Sequence, residues 1–133
     1  MTNHRRLIAI RLLPVVLLTS AAMIYVIWTE DEGAYIWRNL LPMIFVNVLA
    51  AVTLIRGNGR WTGNGWCWLL GTTGFALPAI GLSLYLHHGY LTDMDGMVSE
   101  SEYPMELFRY LPLYTSIAGA IGFAIGWIIG RNV

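Results

Sequence analysis

The chain has 133 residues, of which 56% are hydrophobic and 12% are charged, and its formal net charge at pH 7 is zero. A soluble domain carries about 25% charged residues, so this composition argues against a soluble globular protein. The length accommodates one domain and not two, and the single cysteine, Cys67, excludes an intrachain disulfide.

Four apolar segments are each long enough to cross a bilayer, which takes about 20 residues. They predict helices at 7–28, 36–55, 66–86 and 107–130. Helices are expected because backbone groups in lipid must be hydrogen-bonded within their own segment, and the alternation typical of barrel strands is missing. The sequence therefore predicts a single all-α domain over residues 1–133, an integral membrane four-helix bundle.

The first segment begins like a signal peptide, with Arg5 and Arg6 ahead of an apolar stretch that reaches the small residues 20–22. The apolar run then continues to Trp28, which is longer than a typical signal core. We therefore expect a retained helix. Arg11, about one turn inside it, is expected to reach back to the inner headgroups.

Charged residues alternate in sign between successive gaps. All eight acidic residues lie at 30–32 and 93–106, whereas the first residues, the connection 56–65 and the last residues carry Arg and no acid. Basic segments stay in the cytoplasm. This predicts that both termini are cytoplasmic, that the acidic loop 87–106 is external, and that the protein lies in a bacterial or archaeal cytoplasmic membrane. The inner connection, RGNGRWTGNG, is expected to be a flexible turn.

Two arginines depart from this alternation, since Arg38 and Arg109 lie on the acidic side. Each follows an acidic stretch, and Glu106 precedes Arg109 by three residues. An ion pair at the membrane surface would offset this placement and contribute about 0–1 kcal/mol. The alternative is that Arg38, Arg109, Glu106 and Asn47 border a polar path, since Asn47 is the most polar residue near the middle of the second span.

Small residues recur at helical spacing on the third and fourth segments. Lipid provides no hydrophobic drive for helices to associate, so close backbone approach at glycine supplies the attraction. We predict a helix-packing interface at Gly71, Gly74, Gly81, Gly119, Gly122, Gly126 and Gly130. It either packs the two helices within one subunit or forms a face for a partner or a second copy. Pro78 is expected to kink the third helix.

Ionisable residues are missing from the middle of every predicted span, which argues against a proton-coupled carrier, an intramembrane protease or a haem protein. His87 and His88, at the predicted end of the third helix, are weak candidates for a metal site with Asp93 and Asp95. Adjacent side chains on a helix diverge by about 100°, so one ion could use both histidines only if the helix has ended. No catalytic residue or cofactor is predicted.

Together these features favour a small non-enzymatic multi-pass membrane protein that acts through helix–helix contacts, as an accessory, assembly or immunity-type subunit. The expected partners are the lipid bilayer and a protein, or a second copy, that meets the glycine faces; no nucleic acid is expected. The alternative is a homo-oligomeric channel or small-solute transporter with Asn47 on its path. An interhelical hydrogen bond is the competing interpretation of Asn47.

Overall fold

The computed structural model describes residues 2–29, 36–92 and 106–133. Four helices account for most of this part of the chain: α1 is Thr2–Thr29, α2 is Ile36–Arg56, α3 is Trp66–Thr92 and α4 is Glu106–Asn132. Each predicted apolar segment lies within one helix. The prediction of an all-α helical bundle is therefore confirmed.

Two helices extend well beyond the apolar segments that predicted them. α1 begins more than one turn earlier, because Arg5 and Arg6 are good helix formers and continue the helix through polar sequence. α3 continues to Thr92, so His87 and His88 lie within the helix and not at its end. Hydropathy marks the part of a helix that lies in lipid, and the helix itself can continue beyond it.

Within the described residues, three helices contain a stretch long and apolar enough to cross a membrane: Asn3–Trp28, Trp66–Gly89 and Arg109–Asn132. The corresponding stretch of α2, Leu40–Arg56, is shorter. Large apolar side chains cover the outside of the bundle, as at Ile24, 68% exposed, and Leu77, 70% exposed. An apolar surface of this extent is matched to lipid and not to water. These are the features of a membrane protein.

The helices form two antiparallel hairpins. The most extensive contact joins α3 to α4; α1 packs on α2, α2 also touches α3 and α4, and α1 touches α3. The described parts of α1 and α4 do not meet. α2 and α3 therefore lie across the short diagonal of the bundle. We call the end formed by the first turns of α1, residues 57–65 and the last turns of α4 the terminal end, and the opposite one the far end.

The core lies where α1, α2 and α3 meet. Apolar side chains of mixed size fill it, from alanine to phenylalanine. The main cluster consists of Ala22, Met23, Met43, Val46, Phe75, Ala79 and Ile80. Because lipid is as apolar as this core, dispersion contacts between closely packed atoms provide much of its stability.

The connection between α2 and α3 is a hydrogen-bonded turn and not the flexible segment expected from its composition. The Gly59 N–H donates to the Leu54 carbonyl at 2.7 Å and so closes the end of α2. Asn58 and Gly59 have φ of 53° and 80°, a region that asparagine and glycine adopt more easily than other residues. A Cβ at Gly57 or Gly63 would overlap a backbone carbonyl oxygen of the same turn. The glycines therefore allow a tight fold.

Candidate functional site

The closest helix contact lies between α3 and α4, where glycines on each helix face the other backbone. A Cβ at Gly74 would overlap the carbonyl oxygen of Gly122, and a Cβ at Gly122 would overlap the carbonyl oxygen of Gly74. A Cβ at Gly126 would overlap the carbonyl oxygen of Leu70. The two backbones touch here, so no residue larger than glycine fits without moving a helix.

Glycines on either side of this contact lie against other groups. A Cβ at Gly71 would come within 2.9 Å of the Phe123 ring, and one at Gly119 within 2.8 Å of the Phe75 ring. At the terminal end, a Cβ on Gly130 would lie 2.7 Å from the Cα of Cys67. The contact made by six glycines is named the glycine seam below; its members are Gly71, Gly74, Gly119, Gly122, Gly126 and Gly130.

Gly81 does not lie in the glycine seam, although it shares the helix face from which the interface was predicted. It is exposed, and a Cβ there would meet nothing within 4 Å. Pro78, one turn earlier, still approaches α4, since its Cγ would lie 2.9 Å from a Cβ on Gly122. The close approach of the two helices therefore ends between Pro78 and Gly81.

An aromatic cluster lies beside the glycine seam near the terminal end. The Trp68 ring meets the Trp127 ring edge to face, with centroids 5.2 Å apart, and Trp127 stacks on Phe123 at 5.7 Å. The guanidinium carbon of Arg56 lies 5.1 Å from the Trp68 ring centroid. A cation over an indole contributes about 0.5–1 kcal/mol at an exposed site, so the cluster joins the end of α2 to α3 and α4.

Asn47 forms a hydrogen bond between helices. Its Nδ2 donates to the Thr19 hydroxyl on α1 at 2.9 Å and to the Met43 carbonyl of its own helix at 2.9 Å. A similar link joins α2 to α3, where the hydroxyls of Thr53 and Thr72 lie 2.8 Å apart. Asn47 and Thr53 therefore link α2 to α1 and to α3 through polar contacts.

The strength of the Asn47–Thr19 bond is measurable with a double-mutant cycle of Asn47→Ala and Thr19→Val. We expect a coupling free energy of about 0.6–1.7 kcal/mol, the range for interhelical hydrogen bonds in lipid. Unfolding free energies come from denaturant titration in mixed micelles. The control replaces Thr19→Val by Thr73→Val, because the Thr73 hydroxyl donates only to its own helix, at Leu69, 2.9 Å away. A coupling free energy between Asn47 and Thr19 that is no larger than the one between Asn47 and Thr73 would contradict the assignment of the Asn47–Thr19 hydrogen bond.

Among the described side chains, none of the four residues predicted to form an ion pair or border a polar path contacts another of the four. Asn47 bonds to α1 as above, and Arg109 is exposed, with its guanidinium carbon 5.7 Å from the Tyr110 ring centroid. Arg38 and Glu106 lie in the first turns of α2 and α4, and their side chains fall outside the described part of the structure. An ion pair at this end of the bundle stays a prediction.

The two histidines have separate surroundings. His87 is fully buried, and its Nδ1 lies 2.7 Å from the Ser83 carbonyl oxygen; since a carbonyl only accepts, Nδ1 carries the hydrogen. His88 is exposed, and its Nδ1 lies 3.2 Å from the Tyr25 hydroxyl of α1.

No group of three His, Cys, Asp or Glu among the described residues could hold a metal ion. Asp93 and Asp95, the other candidates for that site, lie outside these residues. His87 lies near the end of the span-length stretch Trp66–Gly89, so it does not contradict the expectation that the middle of each span lacks ionisable residues.

A long apolar cleft runs between α1 and α3. Its part towards the far end, about 510 Å³, is bordered by Tyr25 and His88, and its part towards the terminal end, about 380 Å³, by Val15 and Trp61. Both parts are lined by Leu18 and Ile80, so they adjoin each other. We name this feature the α1–α3 cleft.

A second groove of about 450 Å³ follows the outer side of the glycine seam. Thr73 and Leu77 line both this groove and the α1–α3 cleft, so they form a ridge of α3 between the two. We name these two residues the α3 ridge. Helices pack by placing the ridges of one into the grooves of another, so this surface has the shape that a further helix would fit.

The glycine seam, the Asn47–Thr19 bond, the two grooves and the α3 ridge are the features that bear on function. No protein family model, no curated protein and no solved structure matches the chain.

Proposed function

We propose that this is a small multi-pass protein of a bacterial or archaeal cytoplasmic membrane that works through helix–helix contacts, as an accessory, assembly or immunity-type subunit, and not as an enzyme. All four helices cross the membrane, and both termini are cytoplasmic. The orientation is supported by the arginines of the terminal end, where the sequence has no acid, and by the acidic gaps that follow α1 and α3.

The observation that carries the proposal is the exposed α3 ridge between its two grooves. The glycine seam is already occupied within the chain, since a Cβ at Gly74 or Gly122 meets the neighbouring helix. The α3 ridge is not covered: Leu77 is 70% exposed. A partner's apolar helix can place its side chains in the groove beside the glycine seam and gain dispersion contacts along the ridge, which is how helices associate in lipid.

Leu77→Trp tests this contact, because a larger apolar side chain on the exposed ridge blocks a partner helix at little cost to folding. The matched control is Ile24→Trp, at a residue that is 68% exposed on α1 and outside both grooves. Tagged protein extracted from its native membrane in mild detergent is expected to carry a stoichiometric membrane-protein partner. We expect Leu77→Trp to lower its yield at least about fivefold, since lost packing of about 1 kcal/mol has that effect, and Ile24→Trp to leave it unchanged. Equal yields from the two variants would refute the contact.

The alternative function is a homo-oligomeric channel or small-solute transporter with Asn47 on the path. It is favoured by the Asn47 Oδ1, which is buried and has no hydrogen-bond partner among the described residues, and so could accept a bond from a solute. It is disfavoured by the Nδ2 bond to Thr19, which holds the side chain against α1. A flux through reconstituted liposomes that Asn47→Leu abolishes would support the channel and contradict the helix-contact proposal.

A further inference from the structure

We propose that the α1–α3 cleft binds an anionic phospholipid, with an acyl chain along the cleft and the phosphate beside Arg11 and Arg60. The inference rests on the membrane location proposed above and not on the identity of a partner helix. It follows from three observations: the charge of the terminal end, the position of residues 57–65 against α1, and the shape of the cleft.

The described residues of the terminal end are basic without a balancing acid. Every acidic residue of the chain lies at 30–32 or 93–106, in the sequence between α1 and α2 or between α3 and the first residue of α4. Six arginines lie at the terminal end. Arg11 is half-buried, and the other five are exposed: Arg5, Arg6, Arg56, Arg60 and Arg131. A basic surface at the depth of the headgroups attracts anionic lipid, by about 1 kcal/mol for each arginine.

Residues 57–65 bring part of this charge to the mouth of the cleft. A Cβ on Gly59 would lie 3.0 Å from the Leu7 side chain, and the Arg11 Nη1 donates to the Gly59 carbonyl. Arg60 and Trp61 follow directly in the chain, and Trp61 lines the cleft.

On α1, Arg11 lies one turn before Val15, which also lines the cleft. Arg11 and Arg60 are therefore each adjacent to a residue that lines the terminal mouth, Arg11 by one helical turn and Arg60 by one position in the chain.

The chemistry of this mouth suits a phosphate. A guanidinium has five N–H donors in a planar fork, which matches the oxygens of a phosphate in pairs. The Gly59 carbonyl accepts from one donor of Arg11 and leaves the others of that group to serve a ligand. Trp61 follows Arg60 in the chain and lines the apolar cleft, and tryptophan is a residue that membrane surfaces favour.

The size of the cleft suits one lipid chain better than a helix. From Val15 to Tyr25 it follows ten residues of α1, or about 15 Å. This is about half of the bilayer's hydrocarbon thickness of about 30 Å, the distance that one leaflet's acyl chains occupy. A spanning helix about 10 Å wide would need a longer and broader surface.

The test measures lipid binding by native mass spectrometry of the purified full chain in neutral detergent. The probes are phosphatidylglycerol and phosphatidylcholine with the same acyl chains. We expect phosphatidylglycerol to bind at least about fivefold more tightly than phosphatidylcholine. Arg60→Gln should lower the affinity for phosphatidylglycerol by about the same factor. The control, Arg131→Gln, removes the same charge at the same end but on α4, which does not meet α1, and should bind as the wild type does. Leu18→Trp, in the middle of the cleft, should weaken binding without changing the charge.

Equal affinity for the two lipids, or equal losses from Arg60→Gln and Arg131→Gln, would overturn the proposal in favour of diffuse attraction to the whole basic end. Displacement of the lipid by glycerol 3-phosphate, or unchanged binding in Leu18→Trp, would show that the cleft does not hold a chain. A dimer that excludes the lipid would assign the cleft to a second copy. Arg60 lies outside the α3 ridge and does not line either groove, so the Arg60→Gln result is independent of the Leu77→Trp partner assay.

Discussion

Gly122→Ala is expected to lower the free energy of unfolding by about 3 kcal/mol, the upper part of the usual range for overpacking. The added methyl group would overlap the carbonyl oxygen of Gly74, and backbone atoms cannot rotate aside as a side chain does. α4 would have to move away from α3 and lose packing along the glycine seam. Denaturant titration in mixed micelles, followed by far-ultraviolet circular dichroism, measures the change.

Gly81→Ala is the matched control, because it adds the same methyl group to the same helix pair. A Cβ there meets nothing within 4 Å, so no helix needs to move. Alanine also favours a helix over glycine by about 1 kcal/mol, and we expect a neutral or slightly stabilising effect. A Gly122 variant as stable as the Gly81 variant would show that the glycine seam does not hold α3 and α4 together.

Phe75→Ala is expected to lower the free energy of unfolding by about 2 kcal/mol. Phe75 is 7% exposed, its ring covers Gly119 of α4, and it meets Phe45 of α2 edge to face at 6.3 Å, so it joins three helices. In soluble proteins this substitution costs about 3–5 kcal/mol. We expect less here because the transfer from water contributes little in a bilayer, which leaves the lost packing.

The control for Phe75→Ala is Ile128→Ala on α4, where the side chain is 60% exposed. This side chain lies mostly outside the protein, so its truncation removes few protein contacts, and we expect a change below about 0.5 kcal/mol. The same micelle titration compares the two. Equal costs would mean that the buried core contributes no more than the lipid-facing surface does.

The helices and most of the glycine seam could be predicted because they depend on local patterns. A span needs a continuous apolar stretch, and helical spacing places Gly122 and Gly126 on one face. Gly81 has the right spacing and still lies outside the contact. The spacing defines a face of α3, but only the path of α4 decides how far along that face the two backbones touch.

Contacts between residues far apart in the sequence could not be predicted for the same reason. Arg11 was expected to reach the headgroups, and its bond to the Gly59 carbonyl, 48 residues later in the chain, was not predicted. Composition could show that residues 57–65 can turn, but not where the turn packs. The burial of His87 was not predicted, because apolarity alone set the predicted end of α3 at Leu86. The helix continues beyond Leu86 and buries the imidazole against its preceding turn.

We propose that the α3 ridge, and not the glycine seam, meets another helix in the membrane. The most direct measurement is photo-crosslinking in native membranes, with benzoylphenylalanine placed at Leu77 or at Ile24, which are 70% and 68% exposed. We predict a discrete protein adduct from position 77 and only lipid adducts from position 24. Lipid adducts alone at position 77, or the same protein adduct from both positions, would contradict the claim.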